Sequence, residues 1–164
     1  MDEVDRILEA WARETPDLDV SPLRVLSRVS RLSRHLDLER RDAFASHHLD
    51  TWEFDVLAAL RREGPPYELS PGRLIQQTLS TSGTMTNRID RLPPRGLVER
   101  LPDPRDRRGV RVRLMPAGRA LVEAALNDLL DREHDILSPL SADERARIAD
   151  LLRRLMQPFE TRKA

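Results

Sequence analysis

Cysteine is absent from the chain. That one absence removes disulfides, thiolate metal sites and cysteine nucleophiles together. Aromatic residues fill only 4% of the 164 positions, so a core must be built mainly from Leu, Val, Ile and Ala. Nowhere do ~18 apolar residues run together, which excludes the usual pattern of a membrane span. The N-terminal MDEVDRILEAWARE is acidic and amphipathic, without the basic and apolar regions of a secretory leader. A soluble, cytoplasmic protein is the expectation. No glycine-rich phosphate loop occurs, and no serine stands in a Gly-flanked nucleophile elbow. His47 and His48 are adjacent, so their rings point apart on a helix or turn, and no HxxxH spacing accompanies them. With no nucleophile, metal cluster or cofactor loop, the sequence reads as neither an enzyme nor a cofactor carrier.

Charge, in contrast, is abundant. Charged residues make up 34% of the chain, and 28 basic residues balance 28 acidic ones. The balance is uneven along the sequence. Between Thr81 and Met115 stand Arg88, Arg91, Arg95, Arg100, Arg105, Arg107, Arg108, Arg111 and Arg113, against Asp90, Glu99, Asp103 and Asp106. A surplus of five positive charges there leaves the remainder of the chain acidic. A basic segment on an acidic body favours directed contact with phosphates.

Periodicity divides the chain into helices around that segment. Val4, Ile7, Leu8 and Trp11 form one helical face, ended by Thr15-Pro16-Asp17. Ser21-Pro22 reads as a cap and first turn of a long helix to about Ala45, with Leu23, Val25, Leu26, Val29, Leu32 and Leu36 on its apolar side. Thr51 is expected to cap a third helix that stops before Gly64. Then come SPGRLIQQTL and TMTNRIDRL, two helical segments around a small-residue turn, Ser80-Thr81-Ser82-Gly83. That is the helix-turn-helix pattern. Met85, Ile89 and Leu92 share the buried face of the second helix, which Pro93-Pro94 must end.

GLVERL and VRVRLM follow as strands of a hairpin, separated by an eight-residue loop, PDPRDRRG. Two further helices complete the chain, the last capped by Ser141 with Glu144 in capping-box spacing. The predicted fold is mainly α with a small β-hairpin wing: a winged helix-turn-helix. Residues 1–48 supply the N-terminal helices, 49–115 the DNA-binding lobe and 116–164 the C-terminal helices. Apolar stripes at both termini suit a homodimer closed by a two-fold axis.

Double-stranded DNA is the partner this order predicts. The second helix would enter the major groove with Ser82, Thr84, Thr86, Asn87 and Arg91. Arg105, Arg107 and Arg108 at the wing suit the negative potential of a narrow minor groove. A winged-helix module that contacts only proteins is the alternative, and the basic surplus argues against it.

The same residues carry a resemblance. DPRDRRGVRVRLMPAGRAL, preceded by SGTMTNRIDRL and GLVERLPD, resembles the MarR family of bacterial transcription regulators, from about the third helix to the end. The resemblance implies a homodimer that binds a palindromic operator, usually as a repressor, and leaves it on binding a small anionic or phenolic ligand. Pro93-Pro94-Arg95 departs from the family pattern by shortening the recognition helix. The extra N-terminal helix, with Trp11, Asp55, Arg88 and Arg100, is similar to the urate-responsive branch, where a Trp, an Asp and two Arg form the ligand pocket. Two guanidinium groups can hold an anionic purine, and an indole can stack on it. In that reading Asp55 pairs with Arg88 in the empty state, and urate competes for the arginine. A polycarboxylate would use the same arginines, so the effector is a small anion of open identity.

Overall fold

The computed structural model describes residues 1–78, 82–104 and 106–160; the side chains of Ser82, Asp106, Arg107 and Arg108 also lie outside the description. The elements run α1 (Glu3–Glu14), α2 (Leu23–Ala45), α3 (Thr51–Glu63), β1 (Glu68–Leu69), α4 (Pro71–Thr78) and α5 (Ser82–Arg91). A short 3-10 turn, Pro93–Arg95, leads to β2 (Val98–Asp103), β3 (Asp106–Leu114), α6 (Pro116–Leu137) and α7 (Ala142–Glu160). This is the predicted winged helix-turn-helix, mainly α with a small antiparallel sheet. No helix among the described residues is long and apolar enough to cross a membrane. Two compact units divide the chain, Met1–Ala125 and Leu126–Ala164.

Within the first unit, the core gathers on α3. Phe54, Val56, Leu57, Ala59 and Leu60 are all buried, so this helix is enclosed on most sides. Leu74 of α4 and Met85, Ile89 and Leu92 from the α5 segment are buried as well. Spacing of i, i+4, i+7 puts the last three on one side of α5, as their period required. The remaining face of α5 is exposed at Thr84, Thr86, Asn87 and Arg91. Pro93 and Pro94 stop the helix, and Gly96 takes a left-handed conformation (φ +67°) that admits the turn into β2.

The helix caps differ in detail from expectation. Asp50, and not Thr51, stands at the N-cap of α3, and Glu53 Oε2 accepts from the Asp50 amide at 2.8 Å. The residue three positions into the helix is an acid, so it reaches back to the cap. Ser21 makes no side-chain cap to α2; Asp19 Oδ1 instead accepts from the Ser21 amide at 2.9 Å. Ser141 and Glu144 do form the predicted reciprocal pair, with 2.8 Å and 3.3 Å bonds.

The wing departs further. Strand order is β1-β3-β2, so a two-residue strand that the sequence does not announce pairs with the central strand. The eight-residue loop is largely strand. Pro102 opposes Val110, yet Asp103 opposes Asp106, so both strands reach well into the expected loop. Pro102 is compatible with β2 because this is an edge strand, whose outward amide needs no ladder partner. Arg107, Arg108 and Gly109 are absorbed as an irregularity in β3, where extra residues bend a strand without ending it. Behind the sheet, Gly118 of α6 packs on backbone: a Cβ there would lie 2.2 Å from the Leu97 carbonyl oxygen, which already accepts from the Met115 amide at 3.0 Å.

Candidate nucleic-acid interface and effector cleft

α5 carries two kinds of surface. On its outer side are Thr84, Thr86 and Asn87, short polar side chains suited to base edges and phosphates. On the flank towards α3 are Arg88 and Arg91, which are i, i+3 neighbours. Both reach Trp52 in the first turn of α3: the guanidinium carbons of Arg88 and Arg91 lie 5.6 and 5.4 Å from its ring centroid. The Trp52 indole nitrogen donates to Asp50 Oδ2 at 3.1 Å, so the ring is tethered to the helix cap. Trp52 was not apparent from the sequence as a site residue, because an aromatic at the start of an apolar helix looks like core.

Beside this contact lies an open cleft of about 420 Å³, lined in part by Arg41, Leu49, Asp50, Trp52, Asp55 and Arg88. Asp55 accepts from Nη2 of Arg40, on α2, at 3.0 Å. Arg40 is held over the stacked rings of Phe44 and Phe54, at 5.3 and 5.9 Å from their centroids. Arg88 acts on the same carboxylate through its charge, so Asp55 lies in a field shared by Arg40 and Arg88. Partial burial raises the Asp55 carboxyl above its ordinary value, while the charges of Arg40, Arg88 and Arg62 pull it back. The cleft therefore combines cationic groups, a carboxylate and an aromatic wall, the parts needed to orient a small planar anion.

Of the four predicted pocket residues, the structure brings Asp55 and Arg88 to this cleft. Trp11 sits on α1 with 45% of its surface exposed, and Arg100 on β2 is ion-paired with Asp90 of α5; neither is among the lining residues of the cleft. Trp52 supplies an indole there instead. Among the predicted DNA contacts, Thr84, Thr86, Asn87 and Arg91 are exposed on α5, with Arg91 also over Trp52. Arg105 and the side chains of Ser82, Arg107 and Arg108 lie outside the described residues.

The basic surplus is smaller in space than along the chain. Arg95 donates to the buried Glu53 at 2.6 Å and to the His48 carbonyl at 2.8 Å. Arg113 lies between Glu68 at 2.6 Å and Glu99 at 3.1 Å, and Arg111 is flanked by Asp103 at 3.4 Å and Glu68 at 3.8 Å. Glu53 and Glu68 come from outside the arginine-rich segment, so a count along the sequence misses them. Among the described residues, no group of three or more His, Asp or Glu is placed to hold a metal ion.

Comparison with known proteins accords with this geometry. A MarR family model matches residues 48–109. The chain is 39% identical over 153 residues to the HTH-type transcriptional regulator PecS of Dickeya dadantii (strain 3937), covering 93% of this chain and 92% of that protein. It is similar in structure to a mutant MarR from Escherichia coli complexed with operator DNA, with a TM-score of 0.70 and 26% identity over 89% of this chain and 97% of the other. BpsR of Bordetella bronchiseptica, whose DNA binding is regulated by 6-hydroxynicotinic acid, is 32% identical, with a TM-score of 0.62 over 78% of this chain and 98% of the other. These relatives are regulators and not enzymes. A winged helix-turn-helix, a DNA-complexed structural counterpart and a full-length regulator relative converge on one assignment: the chain belongs to the MarR family of DNA-binding transcription regulators.

Proposed function

We propose that the protein is a cytoplasmic, homodimeric repressor that binds a palindromic operator and releases it when a small planar anion enters the cleft at Asp55 and Arg88. The observation that carries this reading is the position of Arg88. It lines the cleft, yet it belongs to α5, whose outer face bears Thr84, Thr86 and Asn87. A ligand that engages Arg88 acts on the reading helix itself. The wing arginines, Arg105, Arg107 and Arg108, extend the contact into the neighbouring groove.

Urate is the effector favoured by the residue types, since a flat purine anion pairs with guanidinium and stacks on indole. The BpsR relative favours a flat aromatic acid of the same general chemistry, and a polycarboxylate would address the same cations. Dimerisation accounts for apolar faces that a single chain leaves open. On α2, Val25, Leu26, Val29 and Leu32 are exposed; on α7, so are Ile148, Leu151, Leu152, Leu155, Met156 and Phe159. Trp11 and Arg100 remain candidates to meet the ligand once a second copy is present.

The test is a titration of urate, 6-hydroxynicotinate and citrate against the protein bound to a duplex selected by it from a randomised pool. At least one of the planar anions is expected to weaken operator binding by about 5-fold or more, within the usual range of coupling between two sites. Arg88→Ala should abolish that response while the protein still melts cooperatively. A wild-type response that survives Arg88→Ala, or no response to any of the three anions, would remove the cleft from the mechanism.

A further inference from the structure

We propose that Trp52 is a positioning residue that clasps Arg88 and Arg91 and so holds α5 in its DNA-reading placement, and that an anion in the cleft acts by breaking this clasp. The second half rests on the cleft reading above; the first does not. Trp52 stands on the most enclosed helix of its unit, with Phe54, Val56 and Leu57 buried behind it. Its indole N–H is tied to Asp50 at 3.1 Å. The ring is therefore a fixed object against which a neighbouring helix can be set.

Met85, Ile89 and Leu92 set which side of α5 is buried, but apolar contact is non-directional and leaves small rotations about the helix axis open. Arg88 and Arg91 add direction. Both guanidinium carbons stand within 6 Å of one ring centroid, at 5.6 and 5.4 Å, the distance at which a cation feels the negative aromatic face. The two like charges repel each other, and their shared contact with the indole offsets that repulsion. Arg88 is the cleft-facing member and Arg91 the member next to the exposed reading face. Trp52 thus touches both the residue a ligand would take and the residue DNA would take.

An anion competes well for such a guanidinium. Charge–charge attraction falls off more slowly with distance than charge–quadrupole attraction, and a carboxylate or purine anion also offers two acceptors to the fork. Drawing Arg88 towards the cleft leaves Arg91 as the sole cation on the ring and frees α5 to turn. The specificity follows from the same geometry: a planar anion can pair with Arg88 and lie against the indole edge, whereas a non-planar polyanion can only pair.

The test begins without ligand. In wild-type protein and in Trp52→Leu and Trp52→Phe, affinity is measured for the selected operator duplex, alongside thermal melting. Trp52→Leu is expected to raise the Kd by about 5–10-fold, and Trp52→Phe, which keeps an aromatic face, by no more than about 2-fold. A folded Trp52→Leu protein with wild-type affinity overturns the clasp. Should that variant fail to fold, fluorine NMR on protein labelled with 5-fluorotryptophan decides. The chain has two tryptophans, so the Trp52 signal is the one lost in Trp52→Phe. Arg91→Gln is expected to shift it, and an unmoved signal overturns the clasp. Urate or 6-hydroxynicotinate added to labelled wild type is then expected to move the same signal. A signal unmoved by a ligand that calorimetry shows to bind overturns the coupling. Absence of any binding counts against the cleft reading and leaves the ligand-free result standing.

Discussion

A carboxylate as enclosed as Glu53, 6% exposed, needs a cation and a donor close by. Arg95 supplies the first at 2.6 Å and the Asp50 amide the second at 2.8 Å. Since Arg95 also donates to the His48 carbonyl, one side chain ties the turn after α5 to the turn before α3. Its role is therefore to brace the lobe through its bonds to Glu53 and the His48 carbonyl. Arg95→Ala leaves the buried carboxylate half satisfied, with an expected loss of about 1–3 kcal/mol, the usual cost of orphaning a buried polar group. Thermal or urea unfolding checks this, and unchanged stability would show that water replaces the guanidinium without cost. Trp52 belongs to the same scale. Its importance comes from a tethered ring meeting two cations, which no single residue type announces.

At the scale of elements, α1 is joined to α2 by a set of ion pairs beside the buried Val4. Arg28 donates to Asp2 at 2.8 Å and to Asp5 at 2.6 Å, and Arg31 donates to Glu3 at 2.6 Å. The Arg28 hydrogen bond, with the Asp5 amide, lowers the Asp2 carboxyl from 3.8 to about 2. A carboxyl lowered in the folded state contributes stability that is complete above its unfolded value and lost as pH falls through its folded value. The attachment of α1 is therefore expected to hold at pH 5 and to loosen between about pH 4 and pH 2. The fluorine signal of Trp11 in 5-fluorotryptophan protein follows this directly. Asp2→Asn should remove that part of the pH dependence, and a titration identical in both proteins would contradict the assignment.

Elements with a strong period were legible beforehand. Met85, Ile89 and Leu92 marked the buried face of α5, and Pro93-Pro94 marked its end, because sterics leave few options at those positions. The wing was legible in kind but not in length. Pro102 reads as a breaker until its strand is known to lie at an edge, and β1 is too short to show any alternation. The cleft was half legible. Asp55 and Arg88 stand out as charges on otherwise apolar or polar helices, whereas Arg40 and Trp52 acquire meaning only from neighbours distant in sequence. The arginine count overstates the local surplus in space for the same reason, since Glu53 and Glu68 pair with cations far from them along the chain.

Three features act together in the whole molecule: a helix with an exposed polar face, a wing strand rich in arginine, and apolar faces on α2 and α7 left open in one chain. A protein of zero net charge gains no general attraction to DNA, so binding must come from a localised and oriented contact. Two copies related by a two-fold axis would present two such contacts one helical turn apart, which is why a palindromic duplex is the proposed target. The most direct measurement is fluorescence anisotropy of the duplex selected from a randomised pool, compared with a scrambled duplex, at about 50 and 200 mM salt. The account predicts a preference of about 1,000-fold or more for the selected duplex, an affinity that falls steeply with salt, and weaker binding by Arg107→Ala without loss of folding. Equal affinity for the scrambled duplex, or binding indifferent to both salt and Arg107, would contradict it.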